Sequence, residues 1–132
     1  MTVKSSKTLI AEALKEIETL DSTKVKELHD KKECTLIDIR DIRELWNTGK
    51  VEGALHIPRG MLEFWLDKES PYYRKEKFQD NKKIILFCAA GSRSALATKT
   101  LKEMGFNNVA HIDGGFQSMQ LEGFNIIEAE KE

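Results

Sequence analysis

The chain is predicted to fold as an α/β domain with a mostly parallel sheet and helices on both faces. Three observations predict it. Short apolar runs alternate with amphipathic stretches along the chain, the order of a sheet built by crossovers. Ile84, Ile85, Leu86 and Phe87 form an unbroken apolar run, the pattern of a strand buried on both faces, as parallel strands are. The 132 residues suit one domain, and right-handed crossovers then place helices on both sides of its sheet.

Composition narrows the function. Lys plus Arg number 21 and Asp plus Glu 22, a formal net charge of −1. That balance gives no electrostatic case for binding nucleic acid or a membrane. No apolar run approaches the length of a membrane span, and residues 1–7 lack a secretory apolar core, so a cytoplasmic location is expected. Two cysteines, Cys34 and Cys88, cannot build a disulfide framework. His29, His56 and His111 are scattered without ligand spacing, so no metal or other cofactor is expected.

Residues 7–17 read as an amphipathic helix, with Leu9, Ile10, Ala13, Leu14 and Ile17 on one face. Residues 1–16 are expected to be a helical extension, packed on the domain or against a partner, and residues 17–132 the domain itself. A short edge strand is expected at 17–20. Asp21 or Ser22 then caps a helix that turns Val25 and Leu28 inward. The second strand is expected at 34–39. A buried carboxylate at Asp38, at its carboxyl end, would need an arginine or a backbone donor. Residues 42–47 form a short helix stopped by Gly49. Residues 53–58 give a turn and a third short strand, ended by Pro58.

The aromatic stretch 61–73 (Phe64, Trp65, Tyr72, Tyr73) reads as a helix packed on the sheet, or as a wall at the mouth of a site. A turn at Asp80 and Asn81 precedes the strand at 84–87, and Lys82 and Lys83 are expected to face solvent. The helix at 94–101 carries an apolar face of Leu96, Leu101 and Met104, and Gly105 ends it. The last strand is expected at 108–112, followed by Asp113, Gly114, Gly115 and Phe116 and a terminal helix.

Between the central strand and its helix run Cys88, Ala89, Ala90, Gly91, Ser92, Arg93 and Ser94. Backbone N–H groups converge at such a junction and the helix dipole adds positive charge, so the loop is a candidate anion cradle. Cys88 there is expected to ionise near neutral pH. Arg93 brings a fork suited to oxyanions, or staples the loop to a carboxylate. Gly91 lets amides turn inward. Ser92 and Ser94 bring hydroxyls to the cradle, although Ser94 is equally a helix-start residue. Ligands bind outside the carboxyl ends of such strands, where Asp38, His56, Arg59, His111 and Asp113 also fall. Cys34 begins its strand at the other pole. A separation of about 13–16 Å puts it out of disulfide reach of Cys88.

The segment Cys88-Ala-Ala-Gly-Ser-Arg93 resembles the active-site loop of the single-domain rhodanese (thiosulfate sulfurtransferase) family. In that family the loop starts with the catalytic cysteine and wraps a persulfide sulfur. Related phosphatases have a loop one residue longer, so the length here favours sulfur over phosphate. Four further stretches carry the resemblance. Residues 23–32 look like the family's opening helix. Asp38-Ile39-Arg40-Asp41 resembles its Ile-Asp-Val-Arg signature. Residues 49–58 resemble its second signature in part: Lys50 and Glu52 replace the usual histidine and proline, and His56 stands where asparagine is common. Gly114-Gly115 resembles its closing turn, with Met119 where many relatives have tryptophan.

The resemblance covers about residues 17–125 and implies a three-layer rhodanese-like domain around a five-stranded sheet. It implies a sulfurtransferase that moves a sulfane sulfur from thiosulfate or another persulfide donor to a thiol or cyanide. The carrier would be a persulfide on Cys88, with Ala89 to Ser94 binding it and Asp38 and Arg40 as support. Three alternatives stand beside it. One is a sulfur-relay or regulatory module acting with a protein donor or acceptor. The others are an arsenate reductase or phosphatase using the same cysteine, and an idle binding domain.

Overall fold

The computed structural model describes residues 2–74 and 82–131. The Asp80-Asn81 turn lies outside the described residues. Strands β1 (Glu18–Leu20), β2 (Cys34–Asp38), β3 (Lys50–Val51), β4 (Leu55–His56), β5 (Lys83–Phe87), β6 (Val109–Ile112) and β7 (Ile126–Ile127) alternate with six α-helices. These are α1 (Ser6–Glu16), α2 (Ser22–Asp30), α3 (Ile42–Thr48), α4 (Leu62–Leu66), α5 (Ser92–Glu103) and α6 (Gly115–Glu122). Five strands form one parallel sheet in the order β1-β6-β5-β2-β4. The fold class expected from the sequence is the one observed.

Strand alternation sorts the core into two layers. On one side Leu36, Ile85, Phe87 and Ile112 pack with Val25 of α2 and Phe116 and Met119 of α6. On the other, Ile37, Leu86 and Cys88 pack with Ala97 and Leu101 of α5 and Leu62 and Leu66 of α4. Helix α1 lies on α5, where Lys102 Nζ donates to the Glu16 carbonyl at 2.9 Å. Met119 is fully buried.

Several details differ from expectation. Helix α5 starts at Ser92, and its buried face is Ser94, Ala95, Ala97, Thr98 and Leu101, while Met104 is exposed. Small residues face the sheet because helix and strands approach closely there. Lys83 is not simply solvent-facing: it is ion-paired with Glu18 and donates to Asn108 at 3.3 Å. The strand at 109–112 is not the last. The short β3 and β7 pair antiparallel outside the main sheet. Helix α4 spans only five residues, with Leu62 and Leu66 buried. Phe64 and Tyr72 meet edge to face at 6.3 Å on the exposed surface, so these two rings do not pack on the sheet.

Candidate active site

Cys88 directly follows β5, at the carboxyl end of the sheet and at the head of the twelve-residue α5. Its sulfur is held from above. The Gly91 N–H reaches Sγ at 3.2 Å and the Ser94 N–H at 3.4 Å. Gly91 stands at φ +112°, a left-handed conformation that costs glycine little and that turns its amide inward. Of the cradle amides expected from the sequence, these two contact the sulfur. Cys88 itself is 1% exposed, whereas Ala90, Ser92 and Arg93 lie at the surface. The sulfur therefore lies beneath the rim of its own loop.

The loop is also held from the side. Phe116 N–H donates to the Cys88 carbonyl at 2.8 Å and Gln117 N–H to the Ala89 carbonyl at 3.3 Å. Those bonds need Gly115. A Cβ built on it would lie 2.4 Å from the Cys88 carbonyl oxygen and 2.9 Å from the Ala89 carbonyl. The Gly114-Gly115 turn is thus the clamp that fixes the start of the cradle.

Arg93 does not reach over the loop. Its guanidinium forms a fork with Glu44 at 2.7 and 2.9 Å, the staple arrangement rather than a free anion site. Glu44 Oε2 also accepts the Asp41 N–H at 2.9 Å, closing the capping box of α3. The Arg93 hydrogen bonds are the main reason the Glu44 carboxyl is held below its ordinary range. A group whose folded pKa is lowered contributes stability above its unfolded pKa and loses it as pH falls. Acidification from about pH 4.3 downward should therefore open this staple. Glu44→Gln is expected to flatten the acid limb of the melting temperature between pH 5 and 3, about one carboxylate's range. An unchanged limb would show that the pair contributes nothing measurable.

Asp38 and Arg40 form a buried pair, 2% and 1% exposed, with a closest approach of 2.8 Å. Arg40 also donates to Thr48 Oγ1 at 2.9 Å and the Gly49 carbonyl at 3.2 Å. Its guanidinium lies 4.0 Å from the centre of the Phe116 ring. Phe116 is the residue whose amide holds the Cys88 carbonyl, so the pair supports the clamp from below.

The other strand-end residues divide. His56 Nε2 lies 2.7 Å from the Arg40 carbonyl and is taken up in that scaffold. Arg59 pairs with Glu63 at 2.7 Å and donates to Thr100 at 3.5 Å. Asp113 contributes a backbone bond, its N–H reaching the Leu20 carbonyl at 2.9 Å. His111 is tied to the site: its Nδ1 lies 2.9 Å from Ser94 Oγ, and that hydroxyl lies 3.6 Å from Cys88 Sγ. Its place at the end of a strand beside the central one was the available signal. Cys34 lies at the opposite pole, opposite Lys83, and both cysteines are free. Burial pushes the Cys34 thiol up to about 11.

Among the described residues no helix is long and apolar enough to cross a membrane. Comparison with known proteins agrees with the geometry. A tRNA uridine(34) hydroxylase from Enterobacter is 35% identical over 98 residues, covering 74% of this chain and 27% of that protein. The chain thus spans about a quarter of the length of the curated relatives it matches. A solved protein of unknown function from Rhodopseudomonas palustris, described as a possible tyrosine phosphatase, is 42% identical with a TM-score of 0.89, covering 96% of this chain and 97% of that one. A polysulfide-sulfur transferase homodimer from Wolinella succinogenes is 30% identical with a TM-score of 0.73, covering 94% of this chain and 88% of that one. Residues 21–122, most of this chain, match the Rhodanese-like domain family, and the chain is a member of that family.

Proposed function

We propose that the chain is a sulfurtransferase that carries a sulfane sulfur on Cys88. The supporting observation is a buried sulfur that receives two backbone N–H groups at a helix head, an arrangement suited to a sulfur anion. Cys88 Sγ attacks the outer sulfur of thiosulfate. The S–S bond of the donor breaks, and its electron pair leaves with sulfite. The persulfide anion then rests under the Gly91 and Ser94 amides. A thiolate or cyanide attacks the terminal sulfur, and Cys88 departs as thiolate. Two displacements replace one transfer, and ping-pong kinetics follow.

Donors of this kind include thiosulfate, other persulfides and, by analogy with the Wolinella protein, polysulfide. Free cysteines at both poles suit a reducing compartment such as the cytoplasm. The name of the curated relatives raises tRNA as a partner, but a net charge of −1 offers it no electrostatic drive. Small donors and acceptor thiols are therefore the proposed partners.

The test is intact mass after incubation with thiosulfate and, separately, with polysulfide. The wild type should gain one sulfur atom, and Cys88→Ser none. No gain from either donor, with Cys88 shown to be reduced, would sink the small-donor reading. A protein persulfide would then be tried as donor, for a relay module. The Rhodopseudomonas relative's description favours one second reading, phosphate-ester hydrolysis. Against it, the Arg93 fork is occupied by Glu44. Release of phosphate from an aryl phosphate, dependent on Cys88, would establish that reading instead.

A further inference from the structure

A continuous line of hydrogen-bonding groups runs behind the cradle. Cys88 Sγ lies 3.6 Å from Ser94 Oγ, which lies 2.9 Å from His111 Nδ1. The far ring nitrogen, Nε2, lies 3.1 Å from Thr19 Oγ1. Cys88, Ser94 and His111 are buried, while Thr19 is exposed on edge strand β1. The line begins at a buried sulfur and ends in water.

We infer that this line is a proton exit for Cys88, and that once the proton has left, it reverses polarity and supports the sulfur anion. The inference rests on the reading of Cys88 as nucleophile. The two amides over the sulfur are donors only, so neither can accept the thiol proton. Ser94 Oγ can. In the thiol state S–H donates to Ser94, whose hydroxyl donates to His111 Nδ1, while Nε2–H donates to Thr19. The thiol proton moves to Ser94 Oγ as the Ser94 proton moves to Nδ1. The Nε2 proton passes to Thr19, and the Thr19 proton passes to water. One proton leaves the sulfur and one enters solvent. His111 is neutral before and after.

In the resulting state every donor points inward: Thr19 to Nε2, Nδ1–H to Ser94, and the Ser94 hydroxyl to the sulfur anion. A competing orientation has the Ser94 hydroxyl donating to the Gly91 carbonyl at 3.3 Å, which the thiol state can use. Burial lowers the His111 pKa against a smaller opposing pull from Asp113, so the ring passes a proton on without retaining it. Among the described residues, Arg93 pairs with Glu44 and Lys99 with Glu16 on the α5 side, and Glu18 pairs with Lys83 on the β1 side. On β5, Leu86 is the apolar neighbour opposite His111. Ser94, His111 and Thr19 are positioning residues in this scheme.

The test is the pH dependence of Cys88 alkylation by iodoacetamide, in a Cys34→Ala background. Loss of a hydrogen bond to a charged group predicts that Ser94→Ala raises the midpoint by about 1–2 pH units. Thr19→Val keeps the shape of an exposed residue and removes only the outer hydroxyl, so it leaves the fold intact. It should raise the midpoint by about half a unit, and Thr19→Ser, which keeps the hydroxyl, should restore it. An unmoved midpoint in Thr19→Val overturns the inference, even if Ser94→Ala shifts, because a local Ser94 bond needs neither His111 nor Thr19. Alkylation requires no sulfur donor. Failure of persulfide loading and failure of this line are therefore read out separately.

Discussion

Arg40→Met costs the fold about 3–5 kcal/mol, because it leaves the Asp38 carboxylate buried without its partner. Arg40 heads the fully buried side chains by volume, and its charge is matched at 2.8 Å. Desolvating both ions offsets much of their attraction, so the intact pair adds little net stability. Removing one partner exposes the full desolvation cost of the other. Asp38→Leu combined with Arg40→Met is therefore expected to recover a large part of the loss. Recovery stays partial because the Gly49 carbonyl loses the Arg40 donor. Urea midpoints at constant m would measure all three. A single-variant loss below about 1 kcal/mol would mean that water reaches the pair.

Gly115→Ala slows sulfur loading of Cys88 by about 100-fold, the scale expected when a reacting group is displaced by about 1 Å. A methyl group there meets the Cys88 carbonyl oxygen at 2.4 Å, and this is backbone that cannot swing aside. The cysteine must move, or Phe116 and Gln117 must release the loop. Part of the effect is the left-handed backbone itself, with φ at +55°. Gly105→Ala separates the two contributions. Its φ is +103°, and a Cβ there meets no heavy atom within 4 Å. It should lose a similar conformational stability and keep the wild-type loading rate. Equal rates in the two variants would remove the clamp from the account.

The central strand, loop and helix were legible because each declares itself locally. An apolar run of strand length, a patch of small residues and a stretch of helix formers lie consecutively, and Cys88 falls at their junction. The Asp38–Arg40 pair was legible in kind, since a carboxylate at a buried strand end must find a partner. Arg93 was less so. Its partner Glu44 lies 49 residues away and looks, in sequence, like an ordinary capping-box glutamate. Strands β3 and β7 have two residues each, too few for any period to show, and come from stretches far apart in sequence. The 61–73 stretch was legible in part: a helix packed on the sheet is there, but it spans only Leu62–Leu66. Leu62 and Leu66 are buried, and Met61 and Trp65 pack against the same core, whereas Phe64 and Tyr72 stay exposed. His111 and Ser94 belong to different elements, and only the packing of β6 beside β5 brings them together.

The order in which the chain leaves the ribosome gives the sheet topology a further meaning. Thr19 waits 92 residues for His111, and the turn that clamps Cys88 follows later still. A nascent chain ending before residue 114 carries a cysteine with no clamp, and β1 has no neighbour until β6 emerges. Nonlocal parallel pairing of this kind is slow to form. The surroundings of this sulfur are therefore assembled only after β6 and the Gly114-Gly115 turn have been made, well after Cys88 itself. Until then Cys88 is an ordinary thiol on an unfinished chain.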